Sequence, residues 1–568
     1  MKRVGLVTAA LVAAVAVWAW SLPPKRLVLT SDWSDGTVRG MLHVHSRLSD
    51  GMGTADEIAA AASRAGLQFV VLTDHGDATR PPDPPSYRSG VLVLDAVEIS
   101  TRGGHYVALG LPQSPYPLGG AAGDVVEDVR RMGGFGIAAH PDSPKTELAW
   151  TDWSAPFDAV ELTNPDTSWR MRATTEGMAG GILLARSLLA YPTRPAEAIA
   201  QLLTDGNDLR ERWVDLAERR HVVGLAGADA HAKLQLVERD PGDNSMSVSI
   251  PSYEASFASL SVHVRPSAPF SGDASADATR LLGGLRAGAV FVAVDGWAAP
   301  ASFEFSASNG TTRADMGADL DAGSPLTFHV RSNAPAGYHT ILRRGSETVS
   351  DQQANTFDVA AEGRGVYVVD VRRGDGRGPA WVTSNPIYVG IPAASGSTST
   401  TVPQTSVLSL FDGRTTNGWS FEKDQQSVIA IDVQPLVSGA RLRARYGLAR
   451  GALAGQFVAV AVDTPDGVAG GDGVAFRIRS DADMRVAVQV RADVPGSQPE
   501  RWERSVFVSA NEGEHVVRFA DMTPVGSTHD QHAPAARVRS LMFVVDTTNT
   551  KPGASGQIWL GDVRLVRD

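Results

Sequence analysis

Cysteine is absent from all 568 residues. That removes disulfides, thiolate ligands and a cysteine nucleophile at once. A transition-metal site in this chain can draw only on imidazoles and carboxylates. The absence fits an oxidising exterior without fixing the compartment. Positive charge is short: 52 Lys and Arg stand against 63 Asp and Glu, a formal net charge of -11. A chain so charged has no global attraction to a phosphate backbone, and no nucleic-acid partner is expected. Long apolar runs are missing, with one exception. Val4 to Trp20 is apolar and uncharged, preceded by Lys2 and Arg3 and closed by Pro23, Pro24, Lys25 and Arg26. At roughly seventeen residues it falls short of the about twenty of a full span. Residues 1–25 read as a signal peptide or an uncleaved N-terminal membrane anchor, with no clean A-x-A site at the end. The rest is then exported: periplasmic, extracellular or anchored facing outward, with membrane contact only through that segment.

What remains is ordinary for globular protein, 43% hydrophobic and 20% charged. From about residue 36 to 295, short apolar runs alternate with helical stretches. Thr54 to Glu57 reads as a capping box, Ile58 to Ala65 as a helix, Gly66 as its stop and Leu67 to Leu72 as a strand buried on both faces. Similar runs recur at 90–97, 135–139, 159–162 and 222–226. This alternation predicts an α/β barrel or an open parallel sheet. After about 300 the pattern turns to separate strands with turn residues between, as in β-sandwiches. The expected fold is multidomain, α/β followed by all-β. Its divisions are an α/β domain over 26–295, a small β-sandwich over 296–389, a Ser/Thr/Gly/Pro linker over 390–405 and a jelly-roll-like sandwich over 406–568.

The chemistry is carried by histidine. Six of the 13 histidines stand in motifs at or just past predicted strand ends. His43-Val44-His45 is followed by Ser49-Asp50-Gly51, and two His at i and i+2 on an extended segment point the same way. Thr73-Asp74-His75 follows Leu72. Glu98 ends the next run and precedes Gly103-Gly104-His105. Ala139-His140-Pro141 follows a fourth run, and Asp229-Ala230-His231 a fifth. In a parallel barrel the strand ends share one face. There His43, His45, Asp50, His75, Glu98, His105, His140, Asp229 and His231 would converge. Nine ligands exceed one coordination sphere and suit two or three divalent ions, with Glu98 bridging. His221 opens a strand rather than closing one and is left out.

As a set, H-x-H with S-D-G, T-D-H, a strand-end Glu followed by G-H, A-H-P and D-A-H resembles the polymerase and histidinol phosphatase (PHP) domain over about residues 38–295. The resemblance implies a distorted seven-stranded, TIM-like β/α barrel holding two or three ions of Zn, Mn or Fe. It implies one ion at His43, His45, Glu98 and Asp229, a second at Glu98, His105 and His140, and a third at Asp50, His75 and His231. Glu161 and Asn164 match a recurring E-x-x-N stretch and are expected behind the ligands. The segment GLRAGAVFVAVDG near 284–296 and the later SNPIYV are similar to the CehA/McbA-type branch, which includes enzymes credited with carbamate ester cleavage.

The expected activity is an exported phosphoesterase using a bridging hydroxide on a small-molecule or polymer ester. The alternatives are a carbamate, carboxyl ester or amide hydrolase on the same ions, and a glycan- or surface-binding protein with an inactive barrel. Arg47 and Arg170 are expected to hold a substrate anion, and Asp74 or Asp142 to serve as acid. In the C-terminal region, Trp419, Trp502 and Trp559 are the aromatic platforms available to a cell-surface glycan. Asp412 and Asp562 are candidates for a structural Ca.

Overall fold

The protein is represented by a computed structural model. It describes residues 15–235, 247–322, 326–376, 378–391, 405–437, 439–451, 455–464, 467–468, 470–494 and 498–567. The 390–405 linker lies almost wholly outside these, and residues 1–14 lie wholly outside them. Among the described residues, no helix is long and apolar enough to cross a membrane.

The chain divides into two compact units. The first comprises Met1–Gly76, Pro82–Pro112 and Val129–Ser397. Its parallel strands are β1 (Val38–Val44), β2 (Phe69–Leu72) and β3 (Val91–Asp95). Helix α1 (Ala55–Arg64) joins the first two; Thr54 and Glu57 close a reciprocal capping box at its start. β2 is buried at all four positions, as a strand without polar alternation must be. β4 (Val97–Thr101) and β5 (Gly104–Leu109) form an antiparallel hairpin, and β5 pairs antiparallel with β6 (Phe135–Ala138). β7 (Ala159–Thr163) and β8 (Val223–Ala230) restore parallel pairing, and β8 returns to β1. The sheet closes into a barrel.

Between β7 and β8 lie helices α2 (Pro165–Thr174) and α3 (Gly177–Ala190). The barrel then gains β9 (Ser261–Val264) and β10 (Val290–Ala293), both antiparallel to their neighbours.

The expected separate sandwich at 296–389 is not separate. β10 pairs directly with the strand Val382–Ser384, so part of the later strands extends the same sheet, while Phe303–Ser308, Arg313–Asp315, Leu326–Ser332 and Thr356–Ala361 form a four-stranded sheet of their own. Phe303, Phe328 and Tyr367 share one apolar cluster with Val262 and Phe291. Cutting at 295 would sever ladder hydrogen bonds.

The second unit comprises Thr398–Asp568 together with Asp77–Pro81 and Gln113–Asp128. It contains two six-stranded sheets, antiparallel throughout, packed over one apolar cluster. This mostly β character agrees with the sequence. Its membership does not, because two short segments from early in the chain belong to it. Arg485, 2% exposed, shows why. Its guanidinium donates to Asp128 Oδ1 at 2.7 Å, to the Asp124 carbonyl at 3.2 Å and to Ser505 Oγ at 2.7 Å. A buried Arg needs such partners.

Two expectations for this unit are overturned. Trp419, Trp502 and Trp559 are buried, with Trp502 fully enclosed, so none offers a face to a sugar. Asp412 is used in its own turn, accepting from the Arg414 and Thr415 amides. Asp562 pairs with Arg564 at 2.6 Å. Among the described residues, neither belongs to a group able to hold an ion.

Candidate metal centre

All nine expected ligands meet at one end of the barrel, in four overlapping groups whose ligand atoms lie within 4.8 Å of one another. They reach it by a less regular route than strand alternation. His43, His140 and Asp229 have left-handed backbones, with φ of 60°, 28° and 47°. Such conformations are uncommon outside glycine, and they concentrate at functional sites. The β1 register slips between Met41 and Val44, and the β8 register between Gly227 and Ala230. His43 and Asp229 therefore sit in irregularities that re-aim their side chains. The convergence of His43 with His45 rests on that kink and not on simple i, i+2 alternation.

Glu98 and His105 also depart from the strand-end rule. Each is the second residue of its strand, in β4 and β5 respectively. His105 reaches the shared face because β5 runs antiparallel to β6. An antiparallel strand presents its beginning where its parallel neighbours present their ends.

Glu98, 1% exposed, is the hub. Its Oε2 lies 3.3 Å from His43 Nε2, 3.2 Å from His45 Nε2 and 3.2 Å from His75 Nδ1. Its Oε1 lies 2.7 Å from His105 Nδ1 and 3.0 Å from His140 Nε2. One carboxylate thus turns its two oxygens to two sets of imidazoles. Asp229 Oδ1 stands 3.5 Å from His43 Nε2 and 3.3 Å from His45 Nε2. Tetrahedral ligands about 2.0–2.1 Å from an ion are separated by about 3.3–3.4 Å. The His43, His45, Glu98 and Asp229 atoms have that spacing. His43 Nε2, His45 Nε2 and Glu98 Oε2 are buried and lack any hydrogen-bond partner, a costly arrangement unless an ion takes them.

Near the mouth, Asp50 Oδ1 lies 3.2 Å from His231 Nε2 and 3.8 Å from His75 Nε2. His231 Nδ1 donates to the Asp229 carbonyl at 3.0 Å, which leaves Nε2 as the free lone pair. His45 also joins this group through Nδ1, 3.6 Å from Asp50. A neutral imidazole has one lone pair, so His45 serves one ion at a time.

The electrostatics ask for cations. Burial opposes charge on His43, yet Glu161, Glu98 and Asp229 hold it well above the usual imidazole range. Burial is likewise outweighed at His45, where Asp229 and Glu98 hold it at about 10. Burial opposes ionisation of Glu98, Asp229 and Asp50, but the surrounding histidines hold all three carboxyls below their usual range. Protons on imidazoles supply positive charge that divalent ions can supply instead. Donor type, spacing and unsatisfied atoms all fit two or more divalent ions.

Behind the ligands, Glu161 is a fixed acceptor. His43 Nδ1 donates to Oε1 at 2.6 Å; the His140 amide and Asn164 Nδ2 donate to Oε2 at 2.8 and 3.0 Å. Asn164 Oδ1 in turn caps α2 through Thr167 N–H. Two contributors had no signal in the sequence. A Cβ on Gly227 would stand 1.9 Å from Glu161 Oε1, so only glycine leaves that carboxylate its place. Tyr253 donates to the His45 carbonyl at 2.7 Å and accepts from the Met52 and Gly53 amides, stapling the Asp50 loop.

The four non-metal candidates fare differently. Asp74 is buried and accepts from Ser46 N–H, Ser46 Oγ and Ser49 Oγ at 2.6–2.7 Å. It braces the loop that carries Asp50, and its oxygens are already engaged. Arg47 lies outside the cluster, exposed, donating to the Met52 carbonyl and 3.5 Å from Glu57. Arg170 is held by Asp166 at 2.5 Å and feels the charge of Asp229. Of the two arginines, it alone faces the site electrostatically. Asp142 is half-buried and lines a narrow cleft with His140, Glu161, Asn164, Thr167 and Ser168. Burial holds its carboxyl above the usual range. His221, set aside in the sequence, pairs with Asp319 and stacks on Tyr388 away from the cluster.

No family model matches the chain. It is 28% identical over 137 residues to the uncharacterized protein MJ1587 of Methanocaldococcus jannaschii, spanning 22% of this chain and 80% of that protein. Among solved structures it is similar to the family 11 carbohydrate-binding module of a cellulosomal cellulase of Clostridium thermocellum. That likeness has a TM-score of 0.25 at 14% identity and covers 29% of this chain and 96% of that one. A mannan-recognising carbohydrate-binding module matches with a TM-score of 0.20 at 15% identity, over 29% and 99% of the two chains. Such TM-scores say nothing of what this chain binds.

Proposed function

We propose that the protein is an exported, metal-dependent hydrolase of the PHP type, with a TIM-like barrel, acting on phosphoesters. The supporting observation is the hub: the two oxygens of Glu98 face separate imidazole sets, the arrangement a bridging carboxylate needs. Bound ions would supply Lewis acidity and an acidified water. The chain's own residues do the rest. Glu161 holds the His43 ring in one tautomer and orientation. Asp74 and Tyr253 fix the loop of Asp50. His105 and His140 keep Glu98 Oε1 in place.

Charge favours phosphoester over carbonyl chemistry. The three ligand carboxylates, Glu98, Asp229 and Asp50, together with Glu161 behind them, balance two divalent ions, and a third ion leaves a net positive excess. Arg170 is paired with Asp166. An anionic ester is the substrate such a field attracts.

The test is turnover by the full chain loaded with Mn, Zn or Fe. Substrates are bis-p-nitrophenyl phosphate, p-nitrophenyl phosphate, p-nitrophenyl acetate and an aryl carbamate. Ion-dependent turnover of either phosphoester is expected. Turnover of the acetate or carbamate alone would assign the site to carbonyl chemistry, and no ion-dependent turnover would refute the reading.

A further inference from the structure

Helix α3 is built inside out. Its sequence, GMAGGILLARSLLA, carries one charge in fourteen residues. Its buried positions are the small ones: Gly180, Ser187 and Ala190. A Cβ on Gly180 would stand 2.0 Å from the Arg172 carbonyl, so the small side is pressed against α2. The large side chains face outward instead. Met178 is 82% exposed, Leu188 60%, Ile182 49% and Leu189 47%. Met178, Ile182, Ala185 and Leu189 follow i, i+4, i+7 and i+11 spacing and share one face. A water-facing helix normally shows the reverse pattern, so this face is built to be covered.

The cover is indicated by what lies beside it. Arg186 of α3 donates to the Trp20 carbonyl at 3.3 Å, and its guanidinium lies 4.5 Å from the Trp20 ring. Trp20 belongs to the apolar run Val4–Trp20, whose described end also exposes Val15, Val17 and Trp18. Two apolar surfaces of one unit are therefore contiguous, with exposed Lys25 and half-buried Arg186 at their edge. Aliphatics flanked by tryptophan and basic side chains form the pattern of an interfacial membrane contact. We infer that the exposed face of α3 docks on a lipid bilayer, alongside the N-terminal segment. Membrane contact is then not confined to that segment, and the barrel is held against the bilayer in one orientation. The inference does not depend on which bond the metal centre cleaves.

The absence of native cysteine makes a site-specific test available. Single substitutions Ile182→Cys, Leu189→Cys and, as control, the exposed Thr311→Cys would each carry a polarity-sensitive fluorophore in the full chain. Vesicles would be phosphatidylcholine with phosphatidylglycerol, with or without doxyl-labelled lipid. At 182 and 189 we expect blue-shifted emission and at least twofold quenching by the doxyl lipid; at 311 neither is expected. Met178→Glu with Ile182→Glu should abolish the shift at 189 while leaving melting and ion content unchanged. Labels at 182 and 189 that stay in water with vesicles present would overturn the inference. So would labels already shielded without vesicles: concentration-dependent shielding would assign the face to a second copy, and concentration-independent shielding to the chain itself.

Discussion

Replacing Glu161 with Gln tests whether the side chains behind the ligands govern the centre. Three donors converge on this carboxylate: His43 Nδ1–H, the His140 amide and Asn164 Nδ2–H, at 2.6, 2.8 and 3.0 Å. A carboxylate accepts on both oxygens, whereas an amide accepts on one. In either flip, the Gln NH2 must face a buried donor. Asn164 cannot turn to relieve the conflict, because its Oδ1 caps α2. A buried donor left unsatisfied costs about 1–3 kcal/mol. Loss of a supporting carboxylate weakens ion affinity by about 10–100-fold, which is about 1.4–2.7 kcal/mol at 1.4 kcal/mol per decade. The two estimates agree. The assay is competition with a chelator of known affinity, alongside turnover at saturating ion. We expect the tightest ion to weaken by that factor and turnover to recover partly in excess ion. Glu161→Asp, which keeps the charge but shortens the reach, should fall between. Affinity within twofold of the parent in Glu161→Gln would refute the orienting role.

Four further outcomes follow from the same structure. Glu98→Gln should lower both ion content and turnover, the latter by roughly 100-fold or more; near-normal activity would remove Glu98 from the centre. Gly227→Ala should displace Glu161 and mimic its loss, with ion affinity down by about tenfold, measured by the same competition. His45 in the ion-free protein is raised from 6.5 to about 10, so its stabilising contribution is complete below pH 6.5 and lost as pH climbs toward 10. Melting of ion-free protein should fall across that window while ion affinity rises; a flat melting profile would contradict the ion-pair account. Arg485→Met leaves Asp124 and Asp128 buried without their partner, a loss of about 3–5 kcal/mol for a buried pair broken on one side. Denaturant unfolding of the second unit should register it, and an unchanged midpoint would refute it.

The nine side chains that converge were legible as a set because each sits in a short motif beside an apolar run, and the chain lacks cysteine to compete with them. The buried strand 69–72 and the Thr54 capping box were legible for equally local reasons. What the sequence hid was non-local. No periodicity reveals that Val382–Ser384 pairs with β10, or that residues 113–128 belong with Arg485 more than three hundred residues later. The left-handed backbones of His43, His140 and Asp229 were hidden too: His and Asp adopt positive φ more readily than most non-glycine residues, yet still uncommonly, and no local pattern marks where. The tryptophans misled because exposure is a tertiary property: the same residue type builds a sugar platform or a core.

The two-faced seat of Glu98 has a thermodynamic consequence. Ions sharing one side chain cannot load independently. The rotamer and charge state that suit the first are inherited by the second, whether that helps or hinders it. Coupling of this kind is reciprocal. A substitution at His140, which touches only Oε1, must therefore alter the affinity of the ion seated by His43 and His45 on Oε2. Titrations of ion-free protein and of a His140→Ala variant should therefore differ in the tighter constant as well as in the weaker one.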